Sequence, residues 1–222
     1  DRGKSRSGLF LKTKRDEQVL SDMRGLILDF VRREATFLPG FVPTYFELNL
    51  GKDTGTVLEY AGVFVRGKVD RIDVDAEGNA IVIDYKLSSL SEGYGLHPDK
   101  LLPSRIQTDI YATLVQRHFD LLGTPLKVRG SVYRSYARNA LRGVYDRGIE
   151  WGPQETVRAD RDGLPRAGSD ETYDEYLARV EAEVAQCMEH LAAGDIAPDP
   201  LQDDASVCDY CKALLFCPKA KV

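Results

Sequence analysis

Three charged residues, Asp70, Asp84 and Lys86, lie in apolar segments where a charge is unfavourable without a partner. Asp70 interrupts the run GKVDRID, and Asp84 and Lys86 end the run VIDYK. Residues two apart in a β-strand point to the same face, so Asp84 and Lys86 project together while Tyr85 points away. The spacing predicts one site that combines carboxylates with an ammonium group.

Such a site favours a divalent cation and phosphate chemistry. Two carboxylates in an apolar sheet repel each other, and their oxygen atoms suit Mg²⁺ or Mn²⁺. A cation of this kind polarises a phosphoryl oxygen, while Lys86 can orient a nucleophile and stabilise developing negative charge. Glu47, in the preceding strand, is expected to add a further ligand or to bind a water molecule on the metal. An isolated Asp-x-Lys is usually a surface ion pair, but the apolar surroundings of Asp84 favour the metal site.

A sheet flanked by helices is predicted to position these residues. Apolar spacing of threes and fours predicts a helix over about 14–34 that packs on another element through this stripe, and YFELNL alternates as a half-buried strand does. GVFVRGKVDRIDVD and AIVIDYKL are predicted to form an antiparallel hairpin through the turn AEGN. These strands are followed by a polar loop (87–102) and a helix over SRIQTDIYATLVQRHFDLL. Next come strands in LKVRGSVYRSYA and GVYDRGIEW, and then an acidic helix over about 172–193. This order predicts an α/β domain with one central mixed sheet.

Length, composition and charge are those of a soluble globular domain. The chain has 222 residues, is 43% hydrophobic, and has no apolar run near the roughly 20 residues that span a bilayer. A cytoplasmic protein is therefore expected. The net charge is −5, but residues 1–15 and 127–147 each contain six Lys or Arg against one Asp. Solvated surface charge is the favoured interpretation of any one such stretch, so the charge supports a DNA-binding hypothesis without establishing it.

The motifs RGKVDRIDVD, IVIDYKLS and QTDIYA, with weaker support from FELNLG, resemble those of the PD-(D/E)XK nucleases, and within them the RecB and AddB branch of bacterial recombination exonucleases. The resemblance covers about residues 41–137 and the C-terminal tail, and implies a restriction-endonuclease-like core. It implies that Asp70, Asp84 and the main-chain carbonyl of Tyr85 bind the metal and that Lys86 is catalytic.

The same resemblance extends to the helix after the catalytic strand. Gln107 and Tyr111 match the QxxxY motif of the family and share one helix face, so they are implied to face the site and the DNA. The family usually has a His ligand before the first strand, whereas no His precedes His97 here. We expect a fragment of a longer protein rather than a reduced metal site, because the chain starts in a basic polar stretch without Met.

A cysteine cluster near the end of the chain predicts a second metal centre. Cys208, Cys211 and Cys217 form a CxxC followed by a third Cys, a spacing that suggests metal ligation in a cytoplasmic protein. It resembles the spacing that closes the iron–sulfur cluster of AddB-type nucleases, and a [4Fe-4S] cluster needs a fourth ligand. That ligand is either missing from this chain or Cys187, although Cys187 is expected to pack in the core. Zinc on the three thiols and a fourth group is the alternative.

Together these features predict a Mg²⁺-dependent deoxyribonuclease of exonuclease type that acts in DNA repair or recombination. We expect one domain over 1–222, with its core at about 41–137 and a C-terminal helix and Cys-rich tail at 170–222. DNA with single-stranded ends and a helicase subunit or domain are the expected partners. Residues 87–102 and 127–147 are the expected DNA contacts, with Tyr94 and Tyr111 available to stack on bases. The alternatives are a nuclease fold that only binds DNA or a helicase partner, and a structural Cys-metal domain.

Overall fold

The structure, a computed structural model, describes residues 13–51, 55–87, 89–96, 105–153 and 162–195. Residues 1–185 form one compact unit and residues 186–222 a second. Within the second unit the described residues are 186–195, at the end of the last helix. Cys208, Cys211 and Cys217 lie outside the described residues.

A mixed sheet carries the residues of the predicted site. In chain order the strands are β1 (Val42–Leu50), β2 (Leu58–Tyr60), β3 (Val63–Val65), β4 (Gly67–Val74), β5 (Asn79–Lys86), β6 (Lys127–Ser135), β7 (Leu141–Asp146) and β8 (Gly163–Leu164). Six of them form one sheet in the order β1-β4-β5-β6-β7-β8. The β5–β6 and β7–β8 pairs are parallel and the other pairs are antiparallel. The predicted α/β class with a mixed central sheet is confirmed.

The described part of the chain has three α-helices, which lie on both faces of this sheet: α1 (Lys14–Glu34), α2 (Gln107–Leu121) and α3 (Tyr173–Ala192). The α2 helix covers one face, where the Asp109 carboxylate accepts a hydrogen bond from Ser131 of β6 and another from Tyr176 of α3. The end of α1 lies on the opposite face, where Phe30 packs against Tyr85. That face also holds an apolar cluster of Phe37, Leu38, Ile81, Ile83, Val132, Leu141 and Tyr145.

The α1 helix has the predicted bounds but buries less than its sequence suggests. Thr13 caps it through a reciprocal pair of hydrogen bonds with Asp16. Within α1 only Phe30 is buried, while the rest of its apolar stripe is exposed among the described residues. The predicted packing of the stripe on another element is therefore limited to its C-terminal end.

The segment before the β4–β5 hairpin differs from the prediction. The run GVFVRGKVDRIDVD was predicted to be one strand, but Arg66 divides it into β3 and β4. β3 pairs with β2 in a separate hairpin, whose turn residues Ala61 and Gly62 both have positive φ, 52° and 77°. Such a turn usually carries Asn or Gly, so the Ala gave no signal for it.

The described residues contain no helix that is both long and apolar enough to cross a membrane.

Candidate active site

Asp70 and Asp84 meet where β4 and β5 separate. Their strands pair from Val74↔Ala80 to Arg71↔Ile83, so the next position sets Asp70 opposite Asp84. Directly opposite residues of antiparallel strands point to the same face. At this point the Tyr85 N–H donates to Asp70 Oδ2 at 2.9 Å. A side chain thus takes the place of a main-chain partner at this point, next to the Asp84 carboxylate.

Asp84 is a buried carboxylate with one cationic neighbour. Its side chain is 6% exposed, and Lys86 Nζ lies 2.6 Å from its Oδ2. This contact is an ion pair rather than a well-oriented hydrogen bond, because Oδ2 has no hydrogen-bond partner of suitable geometry among the described residues. Burial raises the pKa of Asp84, Lys86 opposes the increase, and the charge of Asp70 adds to it. A second cation at Asp84 and Asp70 would therefore be stabilised.

A chain of polar contacts links Lys86 to α2. Its ammonium donates to Gln107 Oε1 at 3.3 Å, and Gln107 Nε2 donates to the Tyr111 hydroxyl at 3.2 Å. The Tyr111 ring lies on Gly67, where an added Cβ would come within 2.8 Å of Tyr111 Cε1. Both residues of the QxxxY motif thus reach the site, while the importance of Gly67 was missed. The sequence signal for Gly67 was a glycine within a predicted strand, which often marks a position where another part of the chain lies close to the backbone.

Glu47 lies beside the site but is held by a different contact. β1 pairs with β4 through Phe46↔Arg71 and Leu48↔Val69, which sets Glu47 opposite Asp70. Its φ of 53° is unusual for a residue other than glycine, and its carboxylate forms an ion pair with Lys68. Glu47 as an additional metal ligand therefore stays a prediction.

Tyr85 connects the two faces of the catalytic strand. Its main chain holds Asp70, as described above, while its ring points to the opposite face. There the hydroxyl accepts a hydrogen bond from Arg71 at 2.7 Å, and the ring stacks on Tyr136 with centroids 4.8 Å apart. Burial raises the pKa of Tyr85 to about 12. The main chain at Tyr85, whose carbonyl the motif resemblance implies as a metal ligand, is thus fixed by an anchored side chain.

A buried ionic network surrounds the Tyr85 hydroxyl, and sequence reasoning missed it. Arg71 contacts both carboxylate oxygens of Asp73, at 2.5 and 2.6 Å, and Glu34 at 2.5 Å. Arg134 donates to the other oxygen of Glu34 at 2.8 Å. Two positive and two negative side chains thus join α1 to β4 and β6. The signal was the alternation in DRID, which sends Arg71 and Asp73 to the face opposite Asp70.

The described part of the predicted DNA-binding loop packs beside the site. The Tyr94 ring meets the Tyr133 ring edge-on, with centroids 4.8 Å apart, and the Arg105 guanidinium lies 5.8 Å from the Tyr94 centroid. Leu96 is buried. Residue 88 and residues 97–102 lie outside the described residues.

The second predicted DNA contact, residues 127–147, is not a continuous basic surface. Arg134 and Arg142 are buried in ion pairs with Glu34 and Asp162. They cannot contact DNA, so the prediction is wrong for these two residues. The physical reason is that the stretch folds into β6 and β7, where side chains alternate between the two covered faces of the sheet.

Cys187 is exposed on α3. The expectation that it packs in the core is wrong, because the buried residues of α3 all lie earlier, from Tyr173 to Val180.

These motifs and this fold define a family. The chain belongs to the PD-(D/E)XK nuclease superfamily, whose model matches residues 5–218. A comparison with curated proteins gives no match. Membership indicates a restriction-endonuclease-like fold and a nuclease, a hydrolase of phosphodiester bonds in nucleic acid. Members typically use divalent metals. The described residues contain no group of three or more His, Cys, Asp or Glu side chains arranged to hold a metal.

Proposed function

We propose that this protein is a Mg²⁺- or Mn²⁺-dependent deoxyribonuclease of exonuclease type. The observation that carries the proposal is the grouping of three charged residues where β4 and β5 separate: Asp84 pairs with Lys86 at 2.6 Å, and Asp70 accepts a hydrogen bond from the Tyr85 N–H between them. Carboxylates and an ammonium group at the end of two strands are the set that metal-assisted phosphodiester hydrolysis requires.

The residues of the site fit a divalent cation. Asp84 Oδ2 is buried and forms an ion pair with the Lys86 ammonium, and Asp70 and Asp84 supply hard oxygen donors. Mg²⁺ is usually held by only one or two carboxylates, with phosphate and water completing its shell. Asp70, Asp84 and the carbonyl of Tyr85 would hold it, and the bound cation would polarise a phosphoryl oxygen and lower the pKa of water.

The remaining chemistry belongs to side chains of this chain. The Lys86 ammonium can bind the phosphate, orient a nucleophile and stabilise negative charge as it develops. Gln107 holds this ammonium from α2, and Tyr111 holds Gln107. Tyr94 and Arg105, next to the site, are suited to contact a base and a phosphate of the substrate.

The finer assignment follows the motif resemblance. The combination of GKVDRID, VIDYK and QTDIY supports a RecB- or AddB-like role in cytoplasmic DNA repair or recombination. Its substrate would be DNA with single-stranded ends, and its partner a helicase subunit or domain.

We further propose that the cysteine tail binds a [4Fe-4S] cluster. The exposed Cys187 is available as a fourth ligand to Cys208, Cys211 and Cys217. Iron and sulfide analysis of anaerobically prepared protein tests the cluster, and stoichiometric zinc in a colourless sample would contradict it.

The function is tested by cleavage of single- and double-stranded DNA with Mg²⁺, with Mn²⁺ and with EDTA. Lys86→Ala is expected to lower kcat by about a thousandfold, because it removes a charge that stabilises the transition state. The control Lys14→Ala removes an exposed lysine at the start of α1 and should leave cleavage unchanged. Cleavage that persists in both Lys86→Ala and Asp84→Ala would reject this site. DNA binding by the wild-type protein without cleavage under any condition would indicate a binding module instead.

A further inference from the structure

We propose that Tyr133 is a positioning residue that holds the Lys86 ammonium in place for catalysis through the face of its ring. This inference rests on the proposed function. It concerns a residue on β6 that is not part of any motif described above.

The ring of Tyr133 lies directly beside the catalytic pair. In the parallel pairing of β5 and β6, Tyr133 is the partner of Asp84, so its side chain is on the same face. Lys86 Nζ lies 5.4 Å from the ring centroid. A cation within about 6 Å of an aromatic ring face is attracted by the ring quadrupole, and more strongly where water is excluded. Tyr133 is 1% exposed and the Lys86 side chain is 27% exposed, so water is excluded from the ring but not from all of the ammonium group.

Three further contacts make the ring a rigid platform. The Thr108 N–H, in the first turn of α2, donates to the Tyr133 hydroxyl at 3.3 Å. The Tyr94 ring packs edge-on against Tyr133. The Tyr133 backbone lies within the β6 ladder, paired on one side with Asp84 and on the other with Arg142. The position of the ring is thereby set by α2, the loop after β5 and two neighbouring strands.

Lys86 needs such a platform because its other contacts are weaker constraints during catalysis. Its closest partner is Asp84, but a cation bound at Asp84 would compete for the same oxygen. Gln107 is exposed, and its hydrogen bond to Lys86 is long, at 3.3 Å. The Tyr133 ring is a further contact of the ammonium, and it does not use the Asp84 oxygen that a bound cation would occupy. A lysine side chain has four rotatable bonds. If its ammonium is already held in place, less conformational entropy is lost when the transition state forms.

The kinetic test compares Tyr133→Leu, which removes the ring, with Tyr133→Phe, which keeps the ring and removes the hydroxyl. We expect Tyr133→Leu to lower kcat by about three- to thirtyfold with little change in KM, the range that a cation–π contact supports. Tyr133→Phe should keep kcat within about threefold. Val132→Ala is the control, because Val132 is buried in the same strand but faces the opposite side of the sheet. Equal kcat in Tyr133→Leu and Val132→Ala would overturn the proposal, as would equal losses in Tyr133→Leu and Tyr133→Phe.

A second measurement does not depend on cleavage or on the stability of the leucine variant. In protein labelled with ¹³C-lysine, the ε-methylene protons of Lys86 should be shifted upfield by the Tyr133 ring current. Lys86→Arg identifies the signal. The shift should persist in Tyr133→Phe, and an unshifted signal in the wild-type protein would refute the contact. If the wild-type protein cleaves no DNA but shows the shift, the proposed function fails while the placement of Lys86 stands.

Discussion

At the scale of single residues, Gly67 shows how closely the site is packed. The Tyr111 ring occupies the space that a side chain at position 67 would need, and Tyr111 is the far end of the contacts that hold Lys86. A methyl group at this position must displace the ring, and the displacement is passed on to Gln107.

We therefore predict that Gly67→Ala lowers kcat by about two- to fivefold, since the displaced Tyr111 ring reaches Lys86 only through the long Gln107 hydrogen bond. It should also lower the free energy of unfolding by about 1–3 kcal/mol through overpacking. Steady-state kinetics and urea denaturation measure the two effects. Gly25→Ala is the matched control, because no atom lies within 4 Å of the added carbon and alanine favours the helix. An unchanged kcat in Gly67→Ala would show that Tyr111 does not position Lys86.

The sequence predicts the positions of those site residues whose direction follows from the alternation of side chains along a strand. Alternation along one strand is enough to put Asp84 and Lys86 on the same face, and a hairpin is enough to bring Asp70 to them. Gly67, Glu34 and Tyr133 could not be found in this way, because their roles depend on which helix or strand lies against them. That information is absent from any short segment of sequence.

At the scale of elements, α1 is joined to the catalytic strands mainly by charge. Glu34, at its last residue, contacts both Arg71 and Arg134, and Phe30 is its only buried side chain. The Glu34 side chain is 13% exposed. Removal of this carboxylate would take an ion-pair partner from both buried guanidinium groups.

We predict that Glu34→Gln lowers the free energy of unfolding by about 3 kcal/mol, the usual effect of breaking a buried ion pair from one side. Urea denaturation followed by circular dichroism measures it. Asp29→Asn, which breaks the exposed Asp29–Arg32 pair of the same helix, is the control and should change stability by less than about 1 kcal/mol. Similar small effects in the two variants would show that the network contributes little to stability.

The ends of strands could be predicted where the sequence contains residues that favour turns. Gly78, with a φ of 85°, and Asp75, which accepts hydrogen bonds from the N–H groups of Glu77 and Asn79, form the turn between β4 and β5. The β2–β3 hairpin was missed because its strands are three residues long and its turn contains Ala61. The predicted strand GVYDRGIEW was too long, since β7 ends at Asp146 and Trp151 instead packs against Phe37 and Tyr145.

At the scale of the whole molecule, one buried carboxyl group ties stability to pH. Asp109 lies where α2, β6 and α3 meet, and it accepts hydrogen bonds from Ser131 and Tyr176. Burial raises the pKa of Asp109 to about 7, and these two hydrogen bonds oppose the increase. In the unfolded chain the same group ionises near pH 4. The folded protein thus keeps a proton that the unfolded chain releases. This contribution to stability is full below about pH 4 and is lost as the pH rises through about 7.

We predict that Asp109→Asn removes this dependence. Relative to the wild type, the variant should gain stability between pH 4 and pH 8, by at most about 4 kcal/mol for a shift of this size. Urea denaturation of both proteins at the two pH values gives the difference directly, and other titrating groups cancel in the comparison. Asp29→Asn serves again as the exposed control. An identical pH response in wild type and Asp109→Asn would mean that Asp109 is ionised in the folded state at neutral pH.

The two faces of β4 and β5 have different roles, which limits the mutations that the coding sequence of these strands tolerates. Along DRID, Asp70 belongs to the proposed site, whereas Arg71 and Asp73 belong to the ionic network on the opposite face. On the neighbouring strand, Asp84 belongs to the site and the Tyr85 side chain to the network. Deletion or duplication of one codon within either strand would exchange these duties, turning a guanidinium toward the substrate and a carboxylate into the apolar interior. Length variation among descendants of this sequence should therefore be confined to the connections, such as the one between Lys86 and Gln107, whereas point substitutions alone can accumulate within the strands.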